Sequence, residues 1–187
     1  MRPAERISAG RICLYMKEQY LYREATVADV QSIMQLVQQR IDWMNEMGLH
    51  QWNETDYFGR YPRSYWEDNI GFFLVAEVGG RVVAAMALYH EDIRWTRDGE
   101  LYGAPLGDTP TYYLHHLVTD PNYKGVGRRL MDYTESYAME HGVKILRLDS
   151  AIGNQTLERY YTSQGYMERG RCHDRLYHGV LREKILS

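Results

Sequence analysis

The chain has 187 residues, 44% hydrophobic and 25% charged, with a formal net charge of −3. That length suits one well-packed domain, and basic residues spread among acids rather than gathered in a stripe exclude nucleic acid as the main partner. No apolar run approaches the length of a membrane span, no continuous apolar core of signal-peptide type opens the sequence, and Cys13 and Cys172 form no metal-spaced or redox pair, so a reducing cytoplasm is the expected compartment.

Residues 1–16 show no hydrophobic period and read as a poorly integrated arm, which leaves 17–187 as the expected domain, without internal repeat or linker. Tyr20 to Glu24 reads as a first strand. Thr26 and Asp29 have capping-box spacing ahead of a helix in which Val30, Ile33, Met34, Val37, Ile41 and Met44 recur at threes and fours; Gly48 ends it. Leu49 to Arg63 is irregular, with Trp52, Tyr57, Phe58 and Tyr61 interleaved with Glu54 and Asp56, and Ser64 to Ile70 reads as a short second helix. Phe72 to Val78 and Arg81 to Leu88 are β-rich runs about Gly79-Gly80, a strong hairpin signal. Asp92 to Thr109 is polar and broken by glycine and proline, a long loop or lid whose Trp95 and Tyr102 are candidates for substrate contact. Tyrosine outnumbers phenylalanine 17 to 3. Such residues combine apolar area with a polar tip, so some suit a wet cleft while most are expected in packing.

The chain is organised around Tyr112 to Tyr166. Tyr112 to Thr119 reads as a strand; alternation puts Tyr113, His115, Leu117 and Thr119 on one face and Tyr112, Leu114, His116 and Val118 on the other. The turn Lys124-Gly125-Val126-Gly127-Arg128-Arg129 follows, opening a helix to Glu140 with Val126, Leu130, Tyr133 and Tyr137 on its apolar face. Unpaired N–H groups and the helix dipole favour an anion there, and the glycines allow close approach. Lys124, Arg128 and Arg129 add charge that suits a diphosphate. Val143 to Leu148 reads as a buried strand, Asn154 to Tyr166 as a short helix closed by Gly165, and the remainder as a final two-stranded hairpin.

Leu117-Val118-Thr119-Asp120-Pro121, the Gly-Val-Gly turn with its helix, Leu146-Arg147-Leu148-Asp149, Asn154, Tyr160-Tyr161 and Gly165-Tyr166 together resemble the GNAT superfamily of acetyl-CoA-dependent N-acetyltransferases. The resemblance implies an α/β (α+β) fold with a mixed, mostly antiparallel central sheet of about six to seven strands and about four helices. It implies acetyl-CoA as cofactor, a small-molecule or peptidyl amine as partner, and no metal. Two departures mark the loop. Asn122 stands where the family has Gln or Arg, and the interval from Pro121 to Gly127 is about two residues shorter than is common, which offers fewer amides to a diphosphate.

On that resemblance the backbone of Leu117, Val118 and Thr119 pairs with the pantetheine arm, while Lys124, Gly125, Val126, Gly127, Arg128 and Arg129 hold the diphosphate. Asn154 bonds the pantetheine amides, although an N-cap is its ordinary use. Trp52, Glu54, Tyr57 and Tyr61 fall on the acceptor wall, where an aromatic and acidic surface suits a cationic amine, or else simply pack the loop. Tyr161, with Tyr160 as its rival, matches the family's tyrosine facing the sulfur; a phenol with a pKa of about 10 stays protonated and can act as general acid. His115 and His116 are the leading base candidates, one of them expected to face the cleft and the other the opposite layer. His173 and His178 are weaker, and a water chain held by Glu54 or Asp56 is also compatible. Rival readings are a non-catalytic CoA-binding sensor and a nucleotide-binding module, the latter lacking the Walker lysine pattern. A homodimer paired through the last strands is one assembly the sequence allows.

Overall fold

The computed structural model describes residues 19–49, 52–97, 100–101, 109–174 and 177–187. The arm 1–16 and Tyr102 lie outside the described residues. Strands β1 (Leu21–Glu24), β2 (Phe73–Val78), β3 (Arg81–Tyr89), β6 (Thr111–Thr119), β7 (Ile145–Ala151), β8 (Met167–Asp174) and β9 (Tyr177–Ile185) form one seven-stranded sheet in the order β1-β2-β3-β6-β7-β9-β8. A separate pair, β4 (Thr96–Arg97) and β5 (Glu100–Leu101), comes between β3 and β6 in chain order. The helices are α1 (Val30–Glu46), α2 (Tyr57–Arg60), α3 (Arg63–Asn69), α4 (Val126–Glu140) and α5 (Gln155–Ser163).

Local signals account for much of this. The capping box forms as Asp29 Oδ2 accepts from the Thr26 amide at 2.8 Å and its hydroxyl at 3.0 Å, on a single 3₁₀ turn that leads into α1. Gly79 and Gly80 turn at φ 56° and 82°, the left-handed pair that a two-residue hairpin loop requires. Val30, Ile33, Leu36 and Val37 of α1 bury with Trp66 of α3 against Val75, Ala85 and Val118 on one sheet face. On the other face Val126, Leu130, Met131 and Ala138 of α4, with Tyr161 of α5, cover Leu74, Met86, Leu114 and Leu146. The buried stripe of α4 is therefore shifted from the expected one. Tyr133 and Tyr137 pack only at its flank, where the Tyr137 hydroxyl donates to Glu24 at 2.6 Å, because a phenol at the edge can cover apolar surface and still reach a polar partner.

All strand pairings are antiparallel except β6 with β7. That parallel pair runs only from Thr111–Ile145 to Leu114–Leu148, whereas β6 follows β3 as far as Thr119 and β7 follows β9 as far as Ala151. Past Leu114 the two central strands separate, and a wedge opens in the middle of the sheet. One wedge wall is irregular. Ala85 pairs with Val118 and Ala87 with His115, so Met86 faces both His116 and Leu117, and His116 takes φ 54°. This is a β-bulge, which adds one residue and resets the alternation beyond it.

Candidate active site

The wedge leads to the glycine turn. Gly125 caps α4 in the left-handed region at φ 78°. The amides of Gly127 and Arg128 have no backbone acceptor among the described residues, as is usual in the first turn of a helix. Gly127 is a close-approach glycine: a Cβ there would stand 3.2 Å from Thr119 Cγ2 and 3.4 Å from the Tyr160 hydroxyl. The short loop ahead of it is braced internally. Asp120, buried, accepts from Arg81 at 2.6 Å and from both the amide and side chain of Asn122 at 2.9 Å. Asn122 thus ties the loop down instead of facing a ligand. Arg128 bonds Asp132 at 2.9 Å and Arg129 lies 5.2 Å from the Tyr20 ring centre, whereas exposed Lys124 has no such tether among the described residues. The end of β6 is fixed from α1, where Arg40 donates to the Thr119 carbonyl at 2.8 Å and to its hydroxyl.

On the α1–α3 face the wedge opens into a cleft of about 670 Å³ lined by Tyr61, Tyr65, Tyr89, the segment His90–Arg94, Tyr113, His115 and His116. The bulge overturns the expectation that the two histidines face opposite layers. Both line this cleft, with ring centres 6.2 Å apart, while Leu117 returns to the α4 face. Their surroundings differ. Tyr57 bonds His116 Nδ1 at 2.8 Å and Tyr65 bonds Nε2 at 2.9 Å, and the Tyr65 hydroxyl meets that of Tyr89 at 2.8 Å. Burial, with His115 and Arg94 adding repulsion, pushes the imidazole of His116 down to about 3. It is neutral near pH 7 and a poor base.

His115 instead has a carboxylate partner, Nε2 standing 3.0 Å from Asp92 Oδ2. Burial works against the charge of Asp92, but His115, the Arg94 amide and the Arg94 charge outweigh it and hold the carboxyl below its usual range. Across the wedge Asp149 of β7 accepts from Arg94 Nη1 at 2.7 Å. Ligating atoms of Asp92, His115 and Asp149 lie within 4.8 Å of one another, the one such cluster among the described residues with the make-up of a metal site. Arg94 already supplies a cation there.

Asp92 and Arg94 are held by a 3₁₀ turn over Ile93–Trp95. Trp95 is fully buried, its ring centre 4.4 Å from the Arg147 guanidinium carbon, so it anchors the turn and does not meet substrate as the sequence suggested. Arg147 is itself buried and donates to Glu183 Oε2 at 2.9 and 2.7 Å.

The profile of the acetyltransferase (GNAT) family matches residues 37–166, from within α1 to the residue before β8. The chain belongs to the GNAT acetyltransferase family. It is an N-acetyltransferase, and the family's acyl donor is acetyl-CoA. Solved structures agree on the fold. A GNAT-family acetyltransferase from Listeria monocytogenes superposes with a TM-score of 0.70 at 24% identity, covering 89% of this chain and 95% of that one. A ribosomal-protein-alanine N-acetyltransferase from Brucella melitensis gives 0.60 at 25% identity, with 89% and 99% covered. The PaiA N-acetyltransferase from Thermoplasma acidophilum, in complex with coenzyme A, gives 0.68 at 15% identity, again with 89% and 99% covered. No curated protein matches the chain in sequence.

Of the acceptor-wall residues named from the family pattern, Tyr61 lines the cleft, Tyr57 stands behind it through His116, and Trp52 stacks on Tyr57 at 5.1 Å. Glu54 is exposed and not among the lining residues; the acidic residues lining the cleft are Glu91 and Asp92, with Asp149 joined to them through Arg94. Asn154 caps α5, its side-chain oxygen accepting from the Leu157 amide at 3.1 Å. Tyr160 places its hydroxyl beside Gly127, whereas Tyr161 is buried in the α4-face core, where burial, with Tyr160 and Asp149 nearby, raises the phenol's pKa and keeps it protonated. His173 and His178 face each other across the last hairpin with Nδ1 atoms 2.7 Å apart, and neither lines the cleft.

Proposed function

We propose that this enzyme transfers the acetyl group of acetyl-CoA directly to a primary amine held in the His115 cleft. The observation that carries the reading is the coincidence of the β6–β7 wedge, the glycine turn at its end, and a histidine–carboxylate pair on its open face. Acetyl-CoA supplies an activated thioester. The free amides of Gly127 and Arg128, with Lys124, hold its diphosphate. The edge of β6 that β7 leaves past Leu114, along Leu117, Val118 and Thr119, takes its pantetheine arm as an added strand.

His115 acts as general base. Asp92 engages Nε2, which leaves Nδ1 as the basic atom, and the carboxylate stabilises the imidazolium that forms when the acceptor ammonium gives up its proton. Tyr161, protonated through its burial, returns a proton to the departing sulfur. Burial pushes the Cys172 thiol up to about 11. A thiol so weakly ionised is a poor nucleophile, which favours direct attack over an acyl-cysteine intermediate. The cytoplasm is the compartment this reading implies, and no helix among the described residues is long and apolar enough to cross a membrane.

The test is release of free CoA from acetyl-CoA across a panel of primary amines, with calorimetry of acetyl-CoA, CoA, ATP and NAD. Micromolar binding confined to the CoA compounds, with amine-dependent CoA release that falls at least about 100-fold in His115→Ala, supports the reading. Tight CoA binding without turnover on any amine would make the protein a sensor.

A further inference from the structure

The acceptor's chemistry can be read from how the charges of the cleft are already used. Asp92 receives His115 Nε2 at 3.0 Å on one oxygen and the Arg94 amide at 2.9 Å on the other. Asp149 receives Arg94 Nη1 at 2.7 Å. Asp92 and Asp149 therefore carry their own donors, and a cation seated between them would have to displace those donors, at a desolvation cost. Glu91, exposed on the cleft lining, is the further carboxylate there.

Arg94 is different. Nη1 is committed to Asp149, but Nε and Nη2 have no acceptor among the described residues, and the side chain lines the cleft. Its position is fixed. Trp95 is fully buried next to it, Asp92 holds its amide, and its guanidinium carbon lies 5.7 Å from the Tyr177 ring centre. A guanidinium edge presented on a rigid turn is suited to a carboxylate, which it can meet with charge-assisted hydrogen bonds. The atoms of Asp92, His115 and Asp149 lie within 4.8 Å of one another and Arg94 is 2.7 Å from Asp149, so one small molecule spans from the base to this edge.

Resting on the transfer reaction proposed above, we propose that the acceptor is a free amino acid or a close analogue. Its amine goes to His115 and its neighbouring carboxylate goes to the open edge of Arg94. The ammonium approaches the Asp92–His115 pair and the carboxylate approaches the guanidinium, so each end of the zwitterion meets a group of opposite charge. Tyr61, Tyr65 and Tyr89 offer aromatic faces to the acceptor's side chain. Peptide N-termini and lysine side chains within proteins lack the adjacent carboxylate and are poor fits.

The experiment compares the twenty amino acids with their carboxamides, which keep amine and side chain and lose only the anionic group. CoA release is followed at saturating acetyl-CoA. A charge-assisted pair contributes about 1.5–3 kcal/mol, so the best amino acid should exceed its amide by roughly 10- to 100-fold in kcat/KM. Arg94→Met should erase most of that preference through KM, with far less effect on the amide. Arg94→Lys, which keeps a cation beside Asp149, should restore part of it. Calorimetry of the preferred amino acid with the CoA-loaded protein reads the same site without turnover, and its binding should vanish in Arg94→Met. Amides equal to or better than the acids, or an Arg94→Met loss shared equally by both, would overturn the inference. Amino-acid binding that depends on Arg94 without any acetyl transfer would support the carboxylate site while overturning the transfer reading.

Discussion

His116 makes a prediction that can be worked through in numbers. It sits at φ 54° in the bulge, with both ring nitrogens hydrogen-bonded to tyrosine hydroxyls and with Tyr61, Trp66 and Tyr65 ring centres at 4.8, 5.2 and 5.6 Å. Burial first, then His115 and Arg94, lower its pKa to about 3, whereas an unfolded chain returns it to about 6.5. The folded state thus binds the proton less readily than the unfolded state. Stability linked to His116 is complete above pH 6.5 and is lost as pH falls toward 3. One proton of difference is about 1.4 kcal/mol per pH unit, so from pH 6.5 to 5.0 the loss is about 2 kcal/mol, or roughly 4–8 °C in Tm for a chain of this size. Asparagine is the replacement of choice, since it does not titrate and tolerates left-handed φ. Urea unfolding of wild type and His116→Asn at pH 7.5 and 5.0 cancels every titration the two proteins share. Wild type should lose about 2 kcal/mol more than the variant between those pH values. Equal losses would show that His116 titrates normally in the fold, and the argument that it is too weak a base would collapse.

Other consequences are independent. In the pH–rate profile, the acid limb should survive in His116→Asn and flatten in His115→Asn, because only the latter removes the proposed base; the reverse would exchange their roles. Tyr161→Phe should lower kcat by about 100-fold or more, the scale of a lost general acid, while acetyl-CoA affinity by calorimetry stays within about twofold; unchanged turnover removes Tyr161 from the reaction. Gly127→Val puts a side chain 3.2 Å from Thr119 and 3.4 Å from the Tyr160 hydroxyl, so acetyl-CoA binding should fall more than about tenfold in a protein that still melts cooperatively. Glu183→Gln removes the carboxylate facing the buried Arg147 and should cost about 3–5 kcal/mol, read as a lower urea midpoint.

What the sequence discloses follows from which interactions are local. The Gly79-Gly80 hairpin and the α1 stripe each depend on neighbours within a few residues, so period and turn chemistry specify them. The glycine turn is legible for the same reason, since strand, φ-positive Gly125 and helix are contiguous. The face of α4 was displaced because tyrosine counts as apolar in a periodicity yet sits at an edge when its hydroxyl has a partner, as Tyr137 has in Glu24. Arg147 reads as an interruption in an apolar strand; its partner Glu183 is 36 residues away, and nothing local announces the pair.

The candidate site was the least legible part, and the bulge explains why. Alternation assumes one residue per step, so it separates His115 from His116 and places Leu117 with His115. Setting His116 and Leu117 against Met86 cancels one step, and it does so at a histidine, not at the glycine that usually marks such a conformation. That single extra residue brings both histidines to one face. One becomes a neutral strut among tyrosines, and the other is left to meet Asp92. The partner arrives from a polar stretch with no period, and the burial of Trp95 anchors the turn that carries Asp92 and Arg94 over the wedge. A chain with Trp95→Ala should therefore keep its sheet yet lose acceptor KM and the His115 acid limb together. Loss of global stability alone, with the kinetic constants of the remaining folded fraction unchanged, would show that the turn holds its place without that anchor.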